Sequence, residues 1–130
     1  MENLYNRVMI IDDSYVDRYV AEHTLKFYHS ANNVIQEESG IGALEYLKEN
    51  MDNPDNLPEV ILLDIQMPLM DGFAFLEEFK KLPAFIQGFC KIFMLSSSVD
   101  FFDLKRVKAH PMIRGFINKP LMRENLNILI

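Results

Sequence analysis

The sequence lacks the features that mark several special classes of protein. Its single cysteine, Cys90, excludes an internal disulfide bond. No apolar run approaches the roughly 18 to 20 residues needed to span a bilayer, so membrane insertion is not expected. Lys and Arg number 13 against 19 Asp and Glu, and the formal charge of −6 argues against direct, broad binding to nucleic acid. The segment Met1 to Tyr5 lacks the basic and apolar regions of a signal peptide, so we expect a cytoplasmic protein.

The composition is that of an ordinary globular domain. Of the 130 residues, 49% are hydrophobic and 25% are charged, which is enough for one independently folding core. The sequence contains no repeats, linkers or low-complexity tracts. We therefore predict that residues 1–130 form a single domain.

Short apolar runs alternate with helical patterns five times along the chain. Strands are predicted at residues 7–11, 34–38, 60–63, 91–95 and 115–118. Helices are predicted to follow Ser14, Gly40, Asp71-Gly72, Asp100 and Lys119-Pro120. Residues 51–58 are predicted to be a surface loop, and residues 82–88 break the helical pattern. Five alternations predict an α/β fold with a parallel sheet covered by helices on both faces, because each right-handed crossover must bury its apolar stripe.

The first predicted helix has a start signal and an apolar stripe. Ser14 and Asp17 fit the S-x-x-D pattern of a capping box. The residues at helical spacing that we expect to pack on the sheet are Val16, Tyr19, Val20, His23 and Phe27.

Four of the five predicted strands end in polar residues. These residues are Asp12 and Asp13, Asp64, Ser96 and Ser97, and Lys119. In an open parallel sheet, the carboxyl ends of the strands form the binding edge. Carboxylates that converge there repel one another and favour a hard cation such as Mg²⁺. With the ammonium of Lys119 and the hydroxyl of Ser96 opposite, the set predicts phosphoryl transfer to Asp64.

Taken in order along the chain, these motifs resemble one known family. They are Asp12-Asp13, the segment LDIQMPLMDG at residues 63–72, Ser96-Ser97, and Lys119-Pro120. Together they resemble the receiver domain of two-component response regulators, of the stand-alone, single-domain type, over essentially the whole chain. The resemblance implies a flavodoxin-like, doubly wound sheet of five parallel strands in the order 2-1-3-4-5.

The resemblance also implies a phosphorylation site and a metal site. Asp64 would accept a phosphoryl group from a histidine kinase or a phosphotransfer protein. Mg²⁺ would bind to Asp13, Asp64 and the backbone carbonyl of Gln66, and Asp12 would hold a metal-bound water. The chain would then be a signalling module rather than an enzyme, with self-catalysed phosphorylation and dephosphorylation as its chemistry.

A conformational switch is implied as well. Lys119 would pair with the phosphoryl group, Ser96 would occupy the family's Thr/Ser switch position, and Phe116 would be the aromatic residue that turns inward. Core packing is the alternative role for Phe116. The signal would pass to a separate downstream protein through a surface whose leading edge is residues 99–102. At least one of Phe101 and Phe102 is expected to be exposed there, the alternative being that one fills the core while the other shields a loop.

Three other functions fit the sequence less well. A phosphatase or phosphotransferase of the haloacid dehalogenase type needs a second Asp two residues after the nucleophile, where this chain has Gln66. A flavodoxin-type flavin carrier needs a phosphate loop rich in Ser, Thr and Gly after the first strand, where this chain has Asp12-Asp13. A receiver-like scaffold that no longer takes phosphate would lack one of the motif residues, and none is missing.

Overall fold

A computed structural model describes residues 3–97 and 100–130, which form one five-stranded parallel sheet. The strands are β1 (Tyr5–Ile11), β2 (Ala31–Glu37), β3 (Val60–Leu63), β4 (Lys91–Ser96) and β5 (Ile113–Asn118). Their order across the sheet is β2-β1-β3-β4-β5, and every neighbouring pair is parallel. The predicted α/β fold and strand order are therefore confirmed.

Helices connect the successive strands, as a parallel sheet requires. They are α1 (Tyr15–Phe27), α2 (Gly40–Glu49), α3 (Gly72–Phe79), α4 (Ala84–Phe89) and α5 (Phe101–Ala109), with 3₁₀ helices at Pro54–Asn56 and Arg123–Leu129. Every helix in the described residues is too short or too polar to cross a membrane.

Two elements differ from the sequence prediction. Residues 82–88, which were expected to break the helical pattern, contain most of α4. Pro83 immediately precedes this helix, and the Gln87 amide donates hydrogen bonds to the carbonyls of Lys80 and Leu82 at 2.9 and 2.7 Å. The last segment is a 3₁₀ helix.

The core lies on both faces of the sheet. Side chains of successive strand residues point to opposite faces, so Val8 and Ile10 pack on one side of β1 while Met9 and Ile11 pack on the other. Helices α2 to α5 cover the Met9 face, and α1 together with the last 3₁₀ helix covers the Val8 face. All four of these β1 residues are buried, which explains why residues 8–11 form a continuous apolar run.

Most of the apolar stripe of α1 faces solvent, with only Val20 half-buried, so the prediction that the stripe packs on the sheet was wrong. The face that packs is made of the buried residues Ala21, Thr24 and Leu25. In the stripe, Val16, Tyr19 and Phe27 are between 58% and 65% exposed. The ring of His23 stacks between those of Tyr19 and Phe27, with centroid distances of 6.3 and 5.9 Å. The helical spacing of these residues identified an apolar face of α1. A different face packs on the sheet, because the small side chains of Ala21 and Thr24 allow close approach there.

Candidate functional site

The acidic residues meet because β1 and β3 are neighbours. Ile11 is in register with Leu63, so the residues that follow the two strands are adjacent. The backbone N–H of Asp64 donates a hydrogen bond to the carbonyl of Ile11 at 3.0 Å. Asp12, Asp13 and Asp64 each offer a carboxylate oxygen, and these oxygens lie within 4.8 Å of one another.

Asp12 is the most deeply buried member of this group. One oxygen accepts a hydrogen bond from the Ser14 backbone N–H at 2.9 Å, and the other forms an ion pair with Lys119 Nζ at 2.5 Å. Burial raises the pKa of Asp12, and the nearby Asp64 charge adds to that shift, while the contacts with Lys119 and Ser14 oppose it.

Lys119 extends from the end of β5 into the acidic group. Its backbone N–H donates to the Ser96 carbonyl at 3.0 Å, which fixes it beside β4. Its ammonium lies 2.5 Å from Asp12, 2.9 Å from Asp17 and 3.2 Å from Asp64. Burial alone lowers the pKa of Lys119, but the hydrogen bonds to Asp12 and Asp17 and the surrounding negative charge raise it overall, so the ammonium stays charged.

Asp17 is a site residue that the sequence reasoning missed. The S-x-x-D pattern predicted a reciprocal capping box, but only one half of it forms: Ser14 Oγ accepts from the Asp17 backbone N–H at 3.2 Å. The Asp17 carboxylate instead accepts from Lys119 Nζ. The contact joins residues 102 positions apart, so no local pattern reveals it.

Ser96 and Asp64 are in direct contact. Ser96 ends β4, and its hydroxyl donates to Asp64 Oδ1 at 3.0 Å, while Asp64 Oδ2 accepts from Lys119. Both oxygens of Asp64 therefore have a donor. Phe116 lies two residues before the Ser96 partner in β5 and is partly buried against the core. Its contribution to a switch stays a prediction.

The β3–α3 loop shapes the opposite side of the site. Gln66 is exposed in this loop, and its place among the metal ligands stays a prediction. Leu69 has a positive φ of 70° and is fully exposed, and the Met70 N–H donates to the Pro68 carbonyl at 2.8 Å. Asp71 then caps α3 by accepting from the Ala74 N–H at 2.8 Å.

Both aromatic residues at the start of α5 are exposed. Phe101 is 68% and Phe102 75% accessible, so neither fills the core. The ammonium of Lys105 lies 5.2 Å from the centre of the Phe101 ring. Val99, the first residue of the predicted leading edge, lies outside the described residues.

Among the described residues, the site carries more negative than positive charge. The carboxylates of Asp12, Asp17 and Asp64 contact the ammonium of Lys119, and Asp13 lies beside Asp12 and Asp64. Such a group favours a divalent cation, and it offers the charged and hydrogen-bonding groups that a small anion needs once a cation is bound.

Comparison with known proteins agrees with this arrangement. The family model described as the response regulator receiver domain matches residues 8–130. Protein PilG of Pseudomonas aeruginosa is 34% identical over 123 residues, covering 92% of this chain and 81% of PilG. The sensor histidine kinase CheAY of Helicobacter pylori is 32% identical over 95% of this chain, which spans only 14% of that protein. The crystal structure of a two-component response regulator from Cytophaga hutchinsonii superposes with a TM-score of 0.88 at 26% identity, covering 96% of this chain and 93% of the other.

Proposed function

The chain belongs to the family of response regulator receiver domains, and from this membership we propose that it accepts a phosphoryl group on Asp64 and signals to a separate protein. The observation that carries the proposal is the position of Asp64. Its carboxylate is buried at the end of β3, beside Asp12 and Asp13, and 3.2 Å from the Lys119 ammonium. A nucleophile held next to a fixed positive charge is the arrangement that phosphoryl transfer needs.

In the proposed step, a carboxylate oxygen of Asp64 forms a new P–O bond while the P–N bond of a phosphohistidine breaks. The electron pair of the broken bond stays on the imidazole nitrogen. Lys119 and the Ser96 hydroxyl already contact Asp64, and both are donors able to bind phosphoryl oxygens. Hydrolysis of the aspartyl phosphate returns the chain to its starting state, so the chemistry acts on the chain itself.

The carboxylates fit Mg²⁺ as the cofactor. Their three oxygens lie within 4.8 Å of one another, and in the described residues this cluster is made of carboxylates alone. Oxygen-only sets suit hard cations. Asp13, Asp64 and the Gln66 carbonyl would hold the ion, and Asp12 would bind one of its waters. When bound, Mg²⁺ offsets the repulsion between the anionic donor and the carboxylates.

We propose a histidine kinase or a phosphotransfer protein as the donor. The relatives include a sensor histidine kinase, which supports a partner of this kind. Helix α1 starts two residues after Asp13 and carries the exposed apolar face that contains Tyr15, Val16 and Tyr19. This face adjoins the acidic residues, so a protein that brings its phosphohistidine to Asp64 would cover it and gain apolar burial.

The first experiment measures uptake of a phosphoryl group from acetyl phosphate with Mg²⁺, read by intact mass. We expect one group on the wild type, none on Asp64→Asn, and none on the wild type in EDTA. Asp52→Asn, which removes an exposed acid from the 51–58 loop, is the control with the same change of charge. Labelling of Asp64→Asn at the wild-type rate would overturn the proposal.

A second experiment tests the donor surface. Tyr19→Ala should slow transfer from an autophosphorylated histidine kinase that is active on the wild type by about tenfold, because a buried aromatic anchor contributes over 1 kcal/mol to an interface. The rate with acetyl phosphate should not change. Phe85→Ala, which removes an exposed aromatic from α4, is the matched control. Equal rates for Tyr19→Ala and wild type with the kinase would contradict a docking role for α1.

A further inference from the structure

Asp17 is a residue of α1 that lies outside the motifs carrying the family resemblance, yet its carboxylate contacts the ammonium of Lys119. Its Oδ2 accepts a hydrogen bond from Lys119 Nζ at 2.9 Å. This distance is shorter than the 3.2 Å between Lys119 Nζ and Asp64 Oδ2. The ammonium is therefore shared among three carboxylates, of which Asp17 is closer than the proposed phosphoryl acceptor.

The start of α1 explains why the Asp17 carboxylate is available. In a reciprocal capping box, this side chain would return to the Ser14 backbone N–H. Here that N–H donates to Asp12 Oδ1 at 2.9 Å. Only the backbone of Asp17 takes part in the cap, by donating to Ser14 Oγ. The carboxylate is thus free to bind Lys119.

The three carboxylates differ in their distance from solvent. The side chains of Asp12 and Asp64 are 2% and 7% exposed, and that of Lys119 is 9% exposed, whereas that of Asp17 is 40% exposed. Asp17 therefore lies at the rim, on the solvent side of the ammonium. An anion that enters the site from solvent meets the Asp17 charge and competes with it for Lys119.

We propose that Asp17 is a positioning residue that holds Lys119 toward α1 and thereby slows phosphoryl acceptance by Asp64. This inference rests on the function proposed above. With acetyl phosphate, an Asp64 oxygen forms the new P–O bond, and acetate leaves with the electron pair of the broken P–O bond. Lys119 binds the transferred group in this step, so its contact with Asp17 must first weaken. Removing the Asp17 carboxylate charge removes this contact, so Lys119 is available to the transferred group without first leaving Asp17.

The kinetic test compares second-order rate constants for uptake from acetyl phosphate with saturating Mg²⁺. We expect Asp17→Asn to raise the rate constant by about two- to fivefold, in the range of one partly exposed ion pair. Asp17→Glu, which keeps the charge and the ability to reach Lys119, should stay close to wild type. Glu22→Gln removes one charge from the same helix without contacting Lys119 and should change little, since Glu22 pairs with Lys26 and Gln36. A rate constant for Asp17→Asn equal to or below that of wild type would overturn the positioning role.

A double-mutant cycle separates positioning from simple charge repulsion. In a Lys119→Met background, which is slow in itself, Asp17→Asn should change the rate constant by less than about 1.5-fold, because its effect acts through Lys119. The same acceleration in both backgrounds would show that Asp17 acts as a general negative charge, and the proposal would be wrong.

A second cycle, on the equilibrium constant of unfolding, tests the contact without phosphate. Asp17→Asn and Lys119→Met should be coupled by about threefold if the ion pair forms in solution, and absence of coupling would contradict it. Different outcomes contradict the proposed function and the positioning role of Asp17. If the wild type takes up no phosphoryl group, the proposed function and the positioning role both fail. If the wild type takes it up and Asp17→Asn does so no faster, only the positioning role fails.

Discussion

Gly72 packs against the backbone of Asp64 so closely that a side chain does not fit between them. A Cβ at position 72 would lie 2.5 Å from the Asp64 carbonyl oxygen and 3.1 Å from the Ile65 Cα. The Gly72 N–H also donates to the Ile65 carbonyl at 2.7 Å. The first residue of α3 thus fixes the backbone that carries the proposed phosphoryl acceptor.

We therefore predict that Gly72→Ala destabilises the fold and slows phosphoryl uptake. The atoms in the way belong to the backbone, so relief requires movement of Asp64, and overpacking of this kind costs about 1 to 3 kcal/mol. Urea unfolding measures the loss. Gly88→Ala is the control, because a Cβ there would meet no atom of the described residues within 4 Å and a helical Ala is favoured by up to about 1 kcal/mol. Equal stability of Gly72→Ala and wild type would mean that the close approach does not exist in solution.

The acidic group is expected to lower the stability of the fold through charge repulsion while it provides oxygens that can bind a metal ion. Asp13→Asn removes both a proposed metal ligand and a charge that repels Asp12 and Asp64. In EDTA, we expect the melting temperature to rise by about 1 to 2 °C, a small effect because Asp13 is exposed and water screens its charge.

The same variant should bind Mg²⁺ about tenfold more weakly, which corresponds to about 1.4 kcal/mol. Titration followed by NMR or calorimetry measures the affinity. Asp52→Asn, with the same change of net charge, should leave both quantities unchanged. Wild-type Mg²⁺ affinity in Asp13→Asn would show that Asp13 is not a ligand.

Cys90 predicts a loss of stability at high pH. Burial raises the pKa of its thiol from 9.0 to about 12. Because the folded pKa is the higher one, the folded chain retains a proton that the unfolded chain loses, so stability falls as the pH rises from 9 toward 12. The contribution of Cys90 to this slope approaches about 1.4 kcal/mol per pH unit. Cys90→Ala should show a shallower decline in urea unfolding across this range, and parallel declines would contradict the prediction.

The centre of the sheet was predictable because most of β1, β3 and β4 is buried on both faces. The runs at residues 8–11 and 60–63 are continuously apolar, and runs of this kind are typical of the central strands of a parallel sheet. The polar residues at their ends then converge through parallel topology alone. Helix α4 was not predictable in the same way, since it has six residues and depends on hydrogen bonds from Gln87.

Two errors share one physical cause, which is that local patterns do not record long-range partners. The stripe of α1 has good helical spacing, but the sheet packs against Ala21 and Leu25 on the other face. Asp17 fits a capping pattern, but its carboxylate binds Lys119. In both cases, contacts with residues distant in the sequence determine which of the two local arrangements forms.

The last prediction concerns the route from Asp64 to the surface. Ser96 Oγ already donates to Asp64 Oδ1 at 3.0 Å, so phosphorylation must replace a carboxylate partner with a phosphoryl oxygen. In the neighbouring strand, Phe116 borders a cleft of about 430 Å³ between α5 and β5, lined also by Leu104, Val107 and Ile113. A shift of Ser96 toward the phosphoryl group would allow Phe116 to repack in this cleft and move α5, where Phe101 and Phe102 are exposed.

We expect Ser96→Ala to separate phosphorylation from this movement. The variant should still take up a phosphoryl group on Asp64, about tenfold more slowly, because Lys119 remains while one donor to the phosphoryl oxygens is lost. With beryllofluoride and Mg²⁺, the wild type should show NMR shifts at Phe116 and across α5, and Ser96→Ala should lose most of them. Ser97→Ala, which removes the hydroxyl of the exposed neighbour, should keep both the rate and the shifts. Full wild-type shifts in Ser96→Ala would show that the signal reaches the surface without Ser96, and the partner surface would then have to be sought away from α5 and β5.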